Sequence, residues 1–221
     1  MAETDIWAVV PIKETAEAKQ RLAQSVPADL RPAFTLAMFE DVLDALASAT
    51  GLAGIIALTA DEAAAGIARR FGARVVGDEA RGGHSAVIAA AARRLVREGC
   101  GGMLQVPGDI PLATGEEISM VLRAHPPAPA FTIVPAHDDM GSNAIVVSPP
   151  DAVPLTFGEN SFFPHLDAAR ARGIEPQVVR APGIGRDIDG TEDIRAFARL
   201  RSKTCAQAFL DDNGFEDWGA Q

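Results

Sequence analysis

The chain has 221 residues, of which 48% are hydrophobic and 23% are charged, as is typical of one α/β domain. Asp and Glu total 30 against 20 Lys and Arg, so the formal net charge is −10 at pH 7. This acidity argues against a general nucleic-acid binder and against a polybasic membrane anchor. With no Tyr and only 5% aromatic residues, an aromatic platform for single strands is not expected either.

The cysteines and the first residues indicate the compartment. Cys100 and Cys205 form no CxxC pair and no cluster with the four histidines, so a zinc site is not expected. Two lone cysteines are typical of reduced thiols. The first residues lack a signal-peptide pattern, and no apolar run approaches the roughly 18 residues of a membrane span. We therefore expect a cytoplasmic protein with no membrane partner.

The first part of the chain alternates between short apolar runs and longer helical segments. Residues 6–10 form an apolar run that predicts a buried strand. A helix is expected to begin near Asp29 and Pro32, and its apolar residues recur every four positions from Leu30 to Leu46. Further strands are predicted at 54–58, 73–76 and 103–106, and further helices at 61–71, 84–98 and 114–124, with N-caps Asp61 and Thr114. This alternation predicts right-handed βαβ crossovers and a largely parallel sheet.

The pattern changes in the second part of the chain. Two predicted strands, 130–135 and 143–148, are separated by a short polar segment, which indicates a hairpin or a crossing pair and hence a mixed sheet. A helix at 161–172, a strand at 176–180 and a helix at 191–201 capped by Thr191 complete the elements. We expect residues 1–202 to form one domain and residues 203–221 an acidic tail.

Three aspartates follow predicted strands, at the edge where open α/β sheets bind their ligands. Asp109 follows one strand, and Asp187 and Asp189 follow another. Because Asp187 and Asp189 are two positions apart, an extended segment points both to the same side. The three carboxylates could form the oxygen-rich site that Mg²⁺ prefers. Alternatively, Asp109 belongs to an ordinary turn, and the other two belong to the start of the helix at Thr191.

A basic segment follows the first strand. Lys13, Lys19 and Arg21 could face phosphates or could form a solvated loop. The chain has no GxxxxGK[ST] motif and no GxGxxG after the first strand, which disfavours P-loop and dinucleotide binding. His84 and His165 are interpreted as ordinary polar residues rather than as catalysts.

Six short motifs occur in order along the chain and together resemble one family. They are VPIK (10–13), AKQRLA (18–23), PGDIPL (107–112), GSNA (141–144), FGENSF (157–162) and DIDGTED (187–193). The chain resembles the 2-phospho-L-lactate guanylyltransferases, which make the activated phospho-acid for the deazaflavin coenzyme F(420). Some members use phosphoenolpyruvate or 3-phosphoglycerate instead. The resemblance covers about residues 6–200. It implies a single nucleotidyltransferase domain with a Rossmann-like fold and a mixed, mostly parallel sheet.

The resemblance also implies a role for each motif. Asp109, Asp187 and Asp189 would hold Mg²⁺, and Lys13, Lys19 and Arg21 would be catalytic residues beside the phosphates of GTP. Nucleotide binding would involve Pro11, Ile12, Lys13, Lys19, Arg21, Asp78, Gly83, His84, Ser85, Pro107 and Gly108. The acceptor acid would be bound by Gly141, Ser142, Asn143, Phe157, Gly158 and Ser161.

The sequence departs from the family pattern in two segments. Family members commonly carry Leu-Asn before the third helix, where this chain has Gly82-Gly83-His84-Ser85, so the base preference stays open. The acceptor turn often contains Thr, and Ser142 keeps the hydroxyl.

The implied reaction needs no strong general base, because a phosphate monoester is already an anionic nucleophile. That agrees with a sequence in which no His or Cys is a convincing nucleophile. The alternatives are a molybdopterin guanylyl- or cytidylyltransferase-like enzyme and a non-catalytic nucleotide-binding module. A homodimer is compatible with the exposed hairpins of this fold, and the identity of the phospho-acid is open.

Overall fold

The computed structural model describes residues 5–12, 22, 26–77, 83–158 and 160–215. Its strands are β1 (Ile6–Pro11), β2 (Gly54–Leu58), β3 (Arg74–Val76), β4 (Gly102–Gln105), β5 (Ala130–Pro135), β6 (Ser142–Ser148) and β7 (Gln177–Val178). Its helices are α1 (Arg31–Ser48), α2 (Glu62–Arg70), α3 (His84–Arg97), α4 (Gly115–Ala124), α5 (Phe162–Arg170), α6 (Thr191–Arg199) and α7 (Cys205–Asp212). No helix among these residues is long and apolar enough to cross a lipid bilayer.

The strands form one sheet in the order β3-β2-β1-β4-β6-β5-β7. Strand β6 is antiparallel to both of its neighbours, β4 and β5, and the other strand pairs are parallel. The predicted mixed, mostly parallel sheet is therefore confirmed. The strand order reverses direction between β1 and β4, and ligands of open α/β sheets bind at such a switch point.

Apolar residues cover both faces of the sheet, as the continuous apolar run of β1 requires. Ala8 and Val10 belong to a cluster that includes residues of α1, α2 and α4. Val9 points to the opposite face and belongs to a second cluster with residues of α3 and α5. The helices therefore enclose the sheet in a three-layer α/β arrangement.

Two of the three predicted helix caps are confirmed. The Asp61 carboxylate accepts hydrogen bonds from the first backbone amides of α2, and the Thr114 hydroxyl accepts one from the amide of Glu117. The prediction that Thr191 is the third cap was wrong, because Gly190 is the N-cap of α6. Asp193 supplies the missing acceptor: its carboxylate reaches back to the amides of Asp189 (3.1 Å) and Gly190 (2.8 Å).

The predicted acidic tail contains a helix. Helix α7 packs against α1, and Ala206 and Leu210 join a third apolar cluster that includes Phe34 and Met38. The carboxylate of Asp41 on α1 accepts hydrogen bonds from the amides of Cys205 (2.6 Å) and Ala206 (2.9 Å). α7 is therefore part of the folded domain.

Candidate active site

A cleft of about 980 Å³ opens along the sheet edge where β4 and β5 end. The antiparallel strand β6 begins at the same edge, so the β5–β6 turn also lines the cleft. Further walls come from the first residue of α3, from the loop before α5 and from the segment between β7 and α6. The cleft thus lies where the topology predicts a ligand.

Most of the predicted site residues meet in this cleft. Its lining includes His84, Pro107, Asp109, Gly141, Ser142, Asn143, Phe157, Gly158, Ser161, Asp187 and Asp189. These residues come from five separate segments of the chain. The structure therefore brings together the predicted metal ligands and all the predicted acceptor contacts.

Other predicted nucleotide contacts lie beside the cleft or outside the described residues. Ile12 is packed in the core and does not line the cleft, and its amide donates to the carbonyl of Leu58. Pro11 ends β1, and Gly108 lies against the Pro11 carbonyl. Gly83 is the N-cap of α3. The four remaining predictions, Lys13, Lys19, Arg21 and Asp78, fall outside the described residues.

Ser85 supports the cleft wall rather than lining it. Its hydroxyl oxygen accepts a hydrogen bond from the Phe157 amide at 2.9 Å. The Phe157 ring packs edge-on against His84, with ring centroids 4.5 Å apart, and against His165, with centroids 5.1 Å apart. The start of α3, the loop at Phe157 and α5 therefore form one packed wall.

Three hydrogen bonds hold the acidic side of the cleft. The amide of Ile188 donates to the carbonyl of Asp109 at 3.0 Å, which joins the segment after β7 to the loop after β4. The side-chain nitrogen of Asn143 donates to the Asp187 carboxylate (3.1 Å) and to the Ile184 carbonyl (3.0 Å). Asn143, predicted to contact the acceptor acid, therefore also positions a predicted metal ligand.

The acidic residues influence each other across the cleft. Burial raises the pKa of Asp187, the hydrogen bond from Asn143 lowers it, and the charges of Asp109 and Asp189 raise it further. A bound cation would relieve this repulsion, and carboxylate oxygens suit a hard divalent ion.

The aspartates do not form a closed metal cage. Within the described ranges, no three His, Cys, Asp or Glu side chains are grouped so that they could hold a metal ion. Mg²⁺ commonly takes one or two carboxylates and completes its shell with substrate phosphates and water. The donor chemistry of Asp109, Asp187 and Asp189 fits that mode of binding, and the three-ligand assignment stays a prediction.

The part of the cleft lined by Ser142 and Ser161, the predicted contacts of the acceptor acid, is supported by a hydrogen-bonded histidine that the sequence did not single out as functional. His165 is 1% exposed, and its Nδ1 lies 2.9 Å from the Ser142 hydroxyl oxygen. The Thr156 amide donates to Nε2 of the same ring at 3.0 Å. Ser161 donates to the Ser142 oxygen at 3.2 Å. Burial lowers the pKa of His165 to about 4, so the ring is neutral at physiological pH.

Gln105 is a second residue that sequence reasoning missed. It ends β4, lines the cleft and is 1% exposed, yet its Oε1 has no hydrogen-bond partner in the part of the chain that the structure describes. Buried polar atoms are normally hydrogen-bonded, so an unpaired one in a cleft is informative. The signal in the sequence was a single amide within the apolar run 102–106.

Comparison with known sequences places the chain beside guanylyltransferases. The model of the family described as "Guanylyl transferase CofC like" matches residues 6–217. A phosphoenolpyruvate guanylyltransferase from Roseiflexus castenholzii is 36% identical over 218 residues, covering 97% of this chain and 100% of that protein. A 3-phospho-D-glycerate guanylyltransferase from Colwellia psychrerythraea is 31% identical over 194 residues, covering 88% and 91%.

A solved structure agrees with the fold. A protein from Desulfovibrio desulfuricans G20, assigned as a nucleotide-diphospho-sugar transferase, superposes with a TM-score of 0.75. The match covers 97% of this chain and 98% of that chain at 16% identity. At this identity the likeness shows the fold alone. The family match extends past α7, in agreement with the packing of that helix on α1.

Proposed function

Because the chain belongs to the guanylyl transferase CofC-like family, whose model spans residues 6–217, we propose that it transfers GMP from GTP to a phosphorylated three-carbon acid. The acceptor is 2-phospho-L-lactate, phosphoenolpyruvate or 3-phosphoglycerate, and pyrophosphate is released. The product serves the synthesis of the deazaflavin coenzyme F(420). The observation that carries this proposal is the cleft, because the three aspartates, Ser142 and Ser161 all line one open space.

The reaction is a single in-line displacement. An oxygen of the acceptor phosphate forms a bond to the α-phosphorus of GTP, and the bond from that phosphorus to the bridging oxygen breaks. The bridging oxygen leaves with the electron pair as part of pyrophosphate. No proton has to be removed from the nucleophile. The chain therefore contributes mainly positioning and charge stabilisation.

The negative charges lining the cleft support a requirement for cations. The described lining contains Asp109, Asp138, Asp187, Asp189 and Asp193, and it includes no Lys. Two polyanionic substrates would be repelled by this surface alone. Asp109, Asp187 and Asp189 would hold Mg²⁺, which would supply positive charge to offset the negative charge of the phosphates.

The remaining residues would bind and orient the substrates. Ser142 would donate its hydroxyl hydrogen to the acceptor acid, and Ser161 would support Ser142 through the hydrogen bond between the two hydroxyls. The glycines at 141 and 158 would allow the acid to approach the backbone closely. Lys13, Lys19 and Arg21 would neutralise the departing pyrophosphate. The two free thiols, Cys100 and Cys205, support a cytoplasmic location for this chemistry.

The proposal is tested by incubating the protein with Mg²⁺, each of the four nucleoside triphosphates and each of the three phospho-acids. We expect pyrophosphate release only with GTP and a phospho-acid, and mass spectrometry should detect the guanylylated acid. Release with another nucleotide or a pterin acceptor would support a molybdopterin-type transferase instead. If no combination releases pyrophosphate, a non-catalytic nucleotide-binding module is the better interpretation.

A further inference from the structure

We infer that His165 is a positioning residue, which orients the Ser142 hydroxyl so that its hydrogen points into the cleft toward an anionic oxygen of the acceptor acid. The identity of that ligand rests on the proposed function. The orientation itself follows from three hydrogen bonds whose directions can be assigned.

The hydrogen bond from Thr156 determines the tautomer of His165. The Thr156 amide can only donate, so Nε2, 3.0 Å away, must be an unprotonated acceptor. A neutral imidazole carries one hydrogen, which must then lie on Nδ1. Nδ1 therefore donates to the Ser142 oxygen, 2.9 Å away.

The hydrogen bonds that the Ser142 oxygen accepts determine where its hydroxyl hydrogen points. A hydroxyl oxygen accepts two hydrogen bonds and donates one. Ser142 accepts from His165 and, at 3.2 Å, from Ser161, so both acceptor positions are filled. Its hydrogen must point to a third partner. In the described part of the chain the Ser142 hydroxyl has no other hydrogen-bond partner, and Ser142 lines the cleft.

The tautomer of His165 decides whether Ser142 turns a positively polarised hydrogen or a negatively polarised lone pair toward the acceptor acid. If Nε2 carried the hydrogen of His165, Ser142 would have to donate to Nδ1, and an oxygen lone pair would face the cleft. A lone pair repels a carboxylate or phosphate, whereas an O–H group binds it. His165 thus acts through Ser142 and does not touch the substrate. The Phe157 ring packs edge-on against the imidazole and restricts its movement.

The inference is tested first by kinetics. In His165→Leu, the acceptor KM should rise about 10- to 100-fold, the scale of one hydrogen bond to a charged group, while the KM for GTP changes less than about 2-fold. His165→Asn keeps a donor near the Nδ1 position and should restore part of the loss. An unchanged acceptor KM in His165→Leu would overturn the inference.

A matched control variant distinguishes the loss of Ser142 orientation from a general loss of side-chain packing. His125 is also a histidine with both ring nitrogens near hydroxyl oxygens, 2.8 Å from Thr132 and 3.0 Å from Ser148, and it does not line the cleft. His125→Leu should lower the melting temperature without raising the acceptor KM. A rise equal to that in His165→Leu would assign the effect to general destabilisation.

A double mutant tests whether His165 acts through Ser142. Ser142→Ala alone should raise the acceptor KM by a similar factor, and adding His165→Leu should raise it by less than about 3-fold more. A full second increase would show that His165 acts through the Thr156 loop instead, which contradicts the inference.

The tautomer of His165 can be determined without an enzyme assay. Long-range ¹H–¹⁵N correlation spectra of the unliganded protein at pH 7.5 should show His165 protonated on Nδ1. Protonation on Nε2 would overturn the inference even if the enzyme is active. Conversely, an Nδ1 tautomer in a protein that releases no pyrophosphate would leave the orientation intact and refute the proposed function.

Discussion

The side-chain nitrogen of Asn143 lies 3.1 Å from the carboxylate of Asp187 and joins the start of β6 to the segment after β7. Asn143 is 4% exposed, and the same nitrogen also donates to the Ile184 carbonyl at 3.0 Å. Both hydrogens of the amide are therefore used to hold the segment that carries two of the predicted metal ligands.

Replacing Asn143 should weaken catalysis through this segment. In Asn143→Ala, Asp187 loses the hydrogen bond that stabilises its ionised form, so we expect kcat/KM to fall about 10- to 100-fold. The fall should be partly reversed at high Mg²⁺, which pyrophosphate release over a Mg²⁺ titration would measure. Asn213→Ala, at the end of α7, is the control and should behave as wild type. Full activity of the Asn143 variant at low Mg²⁺ would contradict this role.

Asp189 gives the most direct test of the metal assignment. Asp189→Ala removes one carboxylate from the acidic side of the cleft, and we expect kcat to fall more than about 100-fold, the scale of one lost electrostatic contact. Asp138→Asn is a suitable control, because Asp138 lines the same cleft but is not a predicted ligand. Near-normal turnover by the Asp189 variant in a steady-state assay would refute the assignment.

Replacing Gln105 should lower the activity of the protein without lowering its stability. The buried Oε1 lacks a partner within the described residues, so an apolar side chain of similar volume removes a desolvation cost. We expect Gln105→Leu to leave the unfolding free energy unchanged or to raise it by about 1 kcal/mol, while activity falls. Denaturant unfolding and steady-state assays would be compared. A variant that is destabilised by several kcal/mol would show that the amide has a structural partner.

The buried histidines predict a loss of stability in acid. Burial lowers the pKa of both His125 and His165 to about 4, below the ordinary value of 6.5. The unfolded chain then binds more protons than the native state, so stability is complete above about pH 6.5 and falls as the pH drops toward 4. Each histidine can contribute up to about 3 kcal/mol to this fall.

The His125→Leu variant isolates this effect. Between pH 6.5 and 4, its unfolding free energy should fall less steeply than that of wild type, as denaturant unfolding at a series of pH values would show. Burial raises the pKa of Asp41 to about 6, which favours the native state as the pH falls and so opposes the trend. Because Asp41 is present in both proteins, comparing their slopes removes its contribution. Equal slopes would contradict the prediction.

The sequence by itself determined the order and type of the main elements. Continuous apolar runs marked the buried strands, and the four-residue spacing from Leu30 to Leu46 marked α1, because these periods follow from backbone geometry. The position of Asp109, Asp187 and Asp189 after strands placed them at the ligand-binding edge of the sheet. The ordered motifs indicated the family.

Only the tertiary structure decided which distant groups meet. The segment that contains α7 was interpreted as a tail because it is polar and acidic. In the structure the Asp41 carboxylate, more than 160 residues away in the sequence, accepts hydrogen bonds from the amides of Cys205 and Ala206. His165 looked like an ordinary polar residue because its role depends on Thr156 and Ser142, which approach it only in the fold. Hydrogen-bond direction depends on which atoms are neighbours in space, and no periodicity along a chain records that.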